Sequence, residues 1–288
     1  MTRDKVDFSA VRWGSVEWTN LVTLYLRAYE SRVSRVSRVS RAQQPILGDR
    51  AAAEAVERID YDFKRIHRMS LPVLNQYLVA LRAKQLDDWC AHFLRRHPEA
   101  VVLHLGCGLD GRVFRLSVPE SVQWFDLDQP EVIELRRRLY TDTANYRMIG
   151  SSVTDPGWLS DIPVGRPTLV IAEGLLMYLP PTEVRQLLAR LTAQFNSGEM
   201  LFDTVSPLGP LASKAFTKGI VKWGIRDARE LQDWNPSLHL VERRPVLAGY
   251  DRIPVTAVRL LYRVFSVTVG GSYDVLNRFE YRALSEIG

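Results

Sequence analysis

Cysteine is nearly missing from this chain: 288 residues carry two, Cys90 and Cys107, and neither belongs to a C-x-x-C pair. A disulfide framework is excluded, and structural zinc has no ligand set of the usual spacing, so no metal is expected. Long apolar runs are missing as well. No stretch approaches the ~18 uninterrupted apolar residues of a membrane helix, and Met1 to Trp13 lacks the apolar centre of a secretory signal, so a cytoplasmic location is expected. There is also no Gly/Ser-rich linker and no internal repeat of domain size. What remains, 46% hydrophobic and 25% charged residues, suits one α/β domain with a real core and a helical appendage.

The net charge of +5 is concentrated. Arg32, Arg35, Arg38 and Arg41 nearly account for it, all within the triplet repeat SRVSRVSRVSR of Ser31 to Arg41. Steps of three on a helix turn each arginine back by about 60°, which smears the four over half the circumference. No aromatic residue interleaves with them as a stacking surface for nucleic acid would require, so the repeat reads as a solvated arm with no nucleic-acid or membrane partner.

Helical patterns fill the first third: Asp7 to Glu30, with Trp13, Trp18, Leu21, Leu24 and Tyr25 as apolar contacts, then Ala51 to Phe63, then Leu71 to His97, closed by Pro98. From Val101 strands alternate with helices, the mark of a mostly parallel sheet covered on both faces. The strands expected are Val101–Leu105, Val122–Asp126, Tyr146–Ile149, Leu169–Ala172, Met200–Thr204, Leu238–Glu242 and Val275–Tyr281. Helices are expected at Gly111–Leu116, Pro130–Tyr140, Pro181–Phe195, Leu211–Trp223, Ala228–Trp234 and Pro254–Tyr262. The division is a helical layer or lid over residues 1–98, with a basic insert at 31–41, and a ligand-binding core over 99–288.

The first of these strands empties into LGCGLDG, with Gly106, Gly108 and Gly111 where a Cβ would hinder the approach of a ligand. As a bare pattern this is G-x-G-x-x-G. Dinucleotide-dependent dehydrogenases and S-adenosylmethionine-dependent methyltransferases both place glycines after the first strand of such a sheet, so the loop alone leaves both open. At the end of the second strand Asp126 and Asp128 can each accept ribose hydroxyls; Asp128, farther out, is preferred, with a helix cap before Pro130 as its other use. Ser151 to Asp155 offers hydroxyls and a carboxylate near the same edge, although Asp155 also suits a cap. Glu173 ends an otherwise apolar strand, where a carboxylate is costly unless something satisfies it, and Asp203 repeats the theme one strand on. His104 reads as a core histidine, and Cys107 as a small side chain filling space.

Five blocks, LRAKQLDDW, LGCGLDGRVFRL, WFDLDQPEVIELRRRL, IAEGLLMYLP and LFDTVSP, stand in an order and spacing that resemble the leucine carboxyl methyltransferase family, in its polyketide O-methyltransferase branch, over about Thr23 to Tyr281. The resemblance implies a class I methyltransferase (Rossmann-like) fold with seven strands, the last antiparallel, an N-terminal helical layer and a substrate lid, and S-adenosyl-L-methionine as donor. It implies that Arg82 pairs with the donor's methionine carboxylate, with Arg27 as a second cation, and that Gly106 and Gly108 give backbone approach. Asp128 would take the ribose, and Ser152 and Val153 the adenine, although Ser152 stands where the family has an acid. Glu173 would face the methionyl ammonium. Gly111 stands where the family has Thr, so the complete dinucleotide fingerprint reads as incidental.

Methyl transfer to oxygen needs a lone pair, close approach and a dry site. A carboxylate acceptor is already ionised at neutral pH, whereas a phenol requires a base or a positive field. Tyr178 and the segment Leu211 to Trp234, with Lys214, Lys218, Lys222 and Arg226 at four-residue spacing and Phe216 and Trp223 as walls, are the acceptor-pocket candidates. No catalytic base stands out. The function expected is O-methylation of a carboxylate or hydroxyl of a small secondary metabolite; a protein C-terminal carboxylate as acceptor, a nicotinamide-dependent oxidoreductase and a donor-binding module without turnover are the alternatives.

Overall fold

Every side chain of Val101-Val102-Leu103-His104-Leu105 is buried, as a strand sandwiched between two helical layers must be. In a computed structural model, which describes residues 5–12, 15–36, 44–216, 219–268 and 273–282, this strand is an interior member of a seven-stranded sheet. Its members are β3 (Val101–Leu105), β4 (Gln123–Asp128), β5 (Tyr146–Gly150), β6 (Thr168–Ala172), β7 (Ser197–Val205), β8 (Leu238–Pro245) and β9 (Asp274–Arg282). They lie in the order β5-β4-β3-β6-β7-β9-β8, and β9 alone runs antiparallel, against both β7 and β8. All seven expected strands form, the last antiparallel, in the class I methyltransferase arrangement.

The two faces of β3 sort its residues by parity. Val101, Leu103 and Leu105 pack with Val184, Leu187, Leu188 and Leu191 of α7 (Pro181–Gln194). On the other face Val102 packs with Leu86, Trp89, Cys90 and Phe93 of α4 (Pro72–Arg96), and α10 (Thr256–Ser266) adds Val258 and Tyr262. His104 and, in the neighbouring strand, Trp124 and Asp126 share that α4 face through the register His104 to Asp126.

Over this rest α1 (Val16–Val36), α2 (Arg50–Arg58) and α3 (Phe63–Ser70), with Phe8, Leu21, Leu24, Ala55 and Ile66 in their own core. The first helix begins later than expected, because Val6–Asp7 is instead β1, paired in parallel with β2 (Ile59–Asp60), and the hydroxyl of Ser15 accepts from the backbone N–H of Trp18 at 3.2 Å to cap α1. The same pairing breaks the expected helix Ala51–Phe63 at Arg58. Trp13 lies outside the described residues, as do Arg38 and Arg41 of the repeat. The repeat is not an arm from its start: α1 continues to Val36, and Arg32 folds back to within 3.5 Å of Glu57 on α2.

The expected helix Leu211–Trp223 is also corrected. Helix α8 covers Leu208–Phe216, the chain turns at Gly219 with φ +75°, and Trp223 is buried with its indole N–H donating to the carbonyl of Leu176 at 2.6 Å. Lys222 and Arg226 therefore lie beyond the helix, Lys218 lies outside the described residues, and among the described residues Lys214, Lys222 and Arg226 do not share one helix.

Candidate active site

The carboxyl ends of β3, β4, β6 and β7 and the start of β9 meet at one edge of the sheet. Just after β3, Gly106 and Gly108 have φ of +62° and +51°. A Cβ on Gly106 would come within 2.9 Å of Leu175 Cδ1, and one on Gly108 within 2.8 Å of Asn20 Oδ1 from α1. Both are therefore fixed as glycine by conformation and by what presses on them. Gly111 differs: its φ is −86°, and a Cβ there would meet Ala51 Cβ of α2 at 2.9 Å. The third glycine of the apparent fingerprint makes room for a helix.

Strand β4 runs on through Asp128, so Asp126 and Asp128 share a face, but their surroundings part them. Asp126 is fully buried and accepts from Trp124 Nε1 (2.9 Å) and Tyr146 Oη (2.7 Å), lies 3.0 Å from His104 Nδ1 and pairs with Arg136. Burial opposes its charge, yet Arg136 and His104 outweigh it and hold the carboxyl down at about 2. It is a structural anion with no capacity to spare. Asp128 accepts only backbone N–H groups, from Gly108 and Gln129, both at 2.7 Å. It tethers the glycine loop to the strand end and makes no side-chain cap for α6 (Pro130–Arg137). Burial raises its carboxyl above the usual range against those two bonds.

Glu173, directly after β6, is the meeting point of three guanidiniums. Its Oε1 accepts from Arg27 Nη2 (3.0 Å, from α1) and Arg82 Nε (3.1 Å, from α4), and its Oε2 from Arg112 Nη2 (2.5 Å) on α5 (Arg112–Arg115). Burial works against its charge, but Arg27, Arg112 and Arg82 together hold it well below the ordinary carboxylate range. The cluster continues inward: Arg27 reaches Asp110 at 3.3 Å, Arg112 reaches Asp87 at 2.7 Å, and Arg115 bridges Asp87, Asp110 and Asp49. On the outer side Arg82 Nη1 lies 3.3 Å from Asp203 and 3.7 Å from Asp274. Asp203 also accepts the N–H of Gly174 at 2.6 Å. Sequence reasoning placed Arg27, Arg82, Glu173 and Asp203 here but missed Arg112, Arg115, Asp87, Asp110 and Asp274. The signal available was the density of Asp and Arg in LDGRVFR, too rich for a buried turn unless the charges pair.

The other expected residues are close by in the fold. Ser152 follows β5, its hydroxyl 2.8 Å from that of Thr154, and the side chain of Val153 is in the core. Asp155 caps the 3-10 turn that starts at Gly157. Tyr178 ends a 3-10 turn, Leu176–Tyr178, with 38% of its surface exposed, and Arg82, Asp203, Asp274 and Tyr273 all act on its phenol, which burial raises. His104 and Cys107 are core residues, the thiol pushed up by burial.

An adenosyl and amino-acid ligand fits this edge. The glycine cradle admits backbone approach, Asp128 offers acceptors at the strand end, and two buried guanidinium nitrogens, Arg27 Nε and Arg112 Nη1, have no hydrogen-bond partner in the cluster. The tetracenomycin polyketide synthesis O-methyltransferase of Streptomyces glaucescens is 42% identical over 242 residues, covering 82% of this chain and 85% of that protein. The leucine carboxyl methyltransferase family model matches residues 21–148. The chain belongs to the leucine carboxyl methyltransferase family. An S-adenosyl-L-methionine-dependent methyltransferase of Gibberella zeae is 34% identical over 277 residues, 88% of this chain and 90% of its own. The chain is accordingly an S-adenosylmethionine-dependent methyltransferase, and the nicotinamide alternative falls. The crystal structure of a provisionally named methyltransferase from Thermobifida fusca shares the fold, with a TM-score of 0.57 at 17% identity over 90% of this chain and 94% of that one. Among the described residues no helix is long and apolar enough to cross a membrane.

Proposed function

We propose that this enzyme methylates an oxygen, a carboxylate or a hydroxyl, of a small polyketide-like secondary metabolite in the cytoplasm. The acceptor class is supported by the Streptomyces relative, and the location by two buried free thiols, as expected in a reducing compartment. The observation that carries the assignment is the convergence of the Gly106 cradle, Asp128 and the Arg82–Glu173 pair on one sheet edge. S-adenosylmethionine, when bound, supplies a methyl group activated by positive sulfur.

The chain's own residues then have separable tasks. Arg82, whose side chain is 18% exposed where that of Arg112 is fully buried, is the cation for the donor's carboxylate, with Arg27 behind it. Gly106 and Gly108 bring backbone close, Asp128 accepts from the ribose hydroxyls, and Ser152 and Val153 border the adenine. Glu173 is assigned a different role from the one the family resemblance implies. With three guanidiniums on its two oxygens its charge is already matched inside the protein, and it acts by positioning Arg27 and Arg82. The first turns of α1 and Leu175 exclude water over the glycine loop. A carboxylate acceptor, ionised at neutral pH, then has only to be held and oriented.

Calorimetry with S-adenosylhomocysteine and with NAD tests this assignment. S-adenosylhomocysteine binds the wild type, and Asp128→Ala weakens it by about 100-fold, two charge-assisted hydrogen bonds of ~1.5 kcal/mol or more each. Tight binding of NAD without response to S-adenosylhomocysteine overturns it, and an unchanged affinity in Asp128→Ala removes Asp128 from the site.

A further inference from the structure

The acids around Arg82 are not equal. Glu173 is shared among three guanidiniums, and Asp203 accepts the N–H of Gly174 at 2.6 Å as well as Arg82 Nη1 at 3.3 Å. Among the described residues Asp274, which opens β9 opposite Val205, has only a long approach to Arg82, 3.7 Å from Oδ2, and its Oδ1 is buried with no hydrogen-bond partner. A buried carboxylate without a hydrogen bond is costly, and the guanidinium beside it is already engaged by two other anions. Burial and then the charge of Asp203 push its carboxyl up to about 7 against the pull of Arg82, with Glu173 adding to the rise. The groups facing it are Arg82 from α4, Asp203 from β7, Glu173 from the end of β6 and the phenol of Tyr178 from the 3-10 turn. Tyr273, its neighbour in sequence, is 38% exposed, as Tyr178 is. Asp274 thus lies beside the acceptor-pocket candidate Tyr178, with Arg82, Asp203 and the half-exposed Tyr273 acting on the same phenol.

Building on the methyltransferase function proposed above, we propose that Asp274 holds the methyl acceptor: its carboxyl group donates a hydrogen bond to one oxygen of an aromatic carboxylate, leaving the other oxygen free to receive the methyl group. No proton is lost in this arrangement. The acceptor carboxylate gives an electron pair to the methyl carbon, the carbon–sulfur bond breaks with its pair left on sulfur, and Asp274 keeps its proton throughout. Ionised Asp274 would repel the same acceptor, so the site takes carboxylates only while Asp274 is protonated.

The test uses the full chain saturated with S-adenosylhomocysteine and follows binding of benzoate, 2-naphthoate and 2-anthroate between about pH 5.5 and 9, the range over which this acid ionises. In the wild type the affinity of the tightest probe is flat at low pH and falls by about tenfold per pH unit above about 7. Asp274→Asn, which still donates a hydrogen bond, binds that probe within about threefold of the wild type at low pH and loses the alkaline fall. Asp274→Ala binds it at least about tenfold more weakly throughout. Absence of binding by all three probes, a wild-type affinity independent of pH or rising with it, or an Asn variant as weak as the Ala variant overturns the inference. Calorimetry of S-adenosylhomocysteine on the same proteins before they are saturated separates the two levels of the argument: loss of donor-site binding in the wild type sinks the methyltransferase assignment, whereas intact donor binding with unresponsive Asp274 variants sinks only this role. Matched melting temperatures of the wild type and the Asn variant exclude misfolding as the cause.

Discussion

Replacing Glu173 by Gln keeps the shape of the side chain and removes the charge that three guanidiniums share. The amide oxygen can still accept on one side, but the amide nitrogen on the other turns a donor toward a donor: either toward Arg112 Nη2 at 2.5 Å, or toward Arg27 Nη2 and Arg82 Nε at 3.0 and 3.1 Å. No guanidinium is wholly orphaned, because Arg27 retains Asp110 at 3.3 Å, Arg112 retains Asp87 at 2.7 Å and Arg82 retains Asp203 at 3.3 Å. The cost therefore falls at the lower end of the ~3–5 kcal/mol range for breaking a buried pair, at about 3 kcal/mol. With an unfolding entropy of ~2.1 cal/mol/K per residue over this chain, that lowers Tm by about 5 °C. Urea unfolding of both proteins across pH measures it. The native carboxyl of Glu173 lies below its unfolded value of ~4.3, so its contribution is complete above that value and drains away only as pH falls through the native one. The gap between the proteins is then level from about pH 8 down to about 5 and closes below. A loss under about 1 kcal/mol at neutral pH, or a gap that already narrows between about pH 8 and 6, refutes the view of Glu173 as the ionised centre of the cluster.

Asp126, held at about 2 against ~3.9 unfolded, stabilises the fold by about 2 kcal/mol above about pH 4 and loses that as pH falls toward 2; Asp126→Asn removes this part of the acid limb, read by acid titration of circular dichroism. Gly106→Ala forces a side chain into φ +62° and onto Leu175, so stability drops by about 2 kcal/mol and S-adenosylhomocysteine affinity falls with it. Gly111→Ala suffers no backbone strain but meets Ala51 Cβ at 2.9 Å and Tyr140 Oη at 3.1 Å, costing ~1 kcal/mol that Ala51→Gly relieves only in part, because a glycine in α2 has its own helix cost, while donor affinity stays within about twofold. An affinity loss in Gly111→Ala that Ala51→Gly does not repair would return the third glycine to the ligand site.

The centre of the sheet was legible because buried parallel strands such as Val101–Leu105 and Thr168–Ala172 are written as short apolar runs between turn signals, whereas Tyr146–Gly150, Leu238–Pro245 and Asp274–Arg282 mix polar and apolar residues and are read from alternation. The errors fall where tertiary contacts decide. Val6–Asp7 and Ile59–Asp60 are strands of two residues whose only reason is each other, and a helical pattern runs straight over both. Leu211 to Trp223 has helical spacing, but Trp223 is drawn away by a core position and the carbonyl of Leu176. In the site, the residues at strand ends were visible because a carboxylate closing an apolar run is itself a signal. Arg112, Arg115, Asp87 and Asp110 were not, because a fully buried arginine has the same letter as a surface one. Only the position of its partners tells them apart, and Asp87 lies 25 residues from Arg112 in the chain.

That cluster also limits how the donor site can open. Asn20 covers Gly108 from the second turn of α1, and Arg27, two helical turns on, is tied to Glu173 and Asp110. Helix α4 is tied to the same carboxylate through Arg82. Swinging the whole helical layer away would strip Glu173 of two of its three cations and leave Arg112 as its remaining cation while the carboxylate stayed buried, a cost of several kcal/mol for each broken pair. Peeling back only the residues up to Asn20 leaves every one of those pairs, and the fully buried Leu21 and Leu24, in place and still uncovers Gly108. The energetics therefore favour a cover hinged within α1, between Asn20 and Arg27, over a layer that moves as one body.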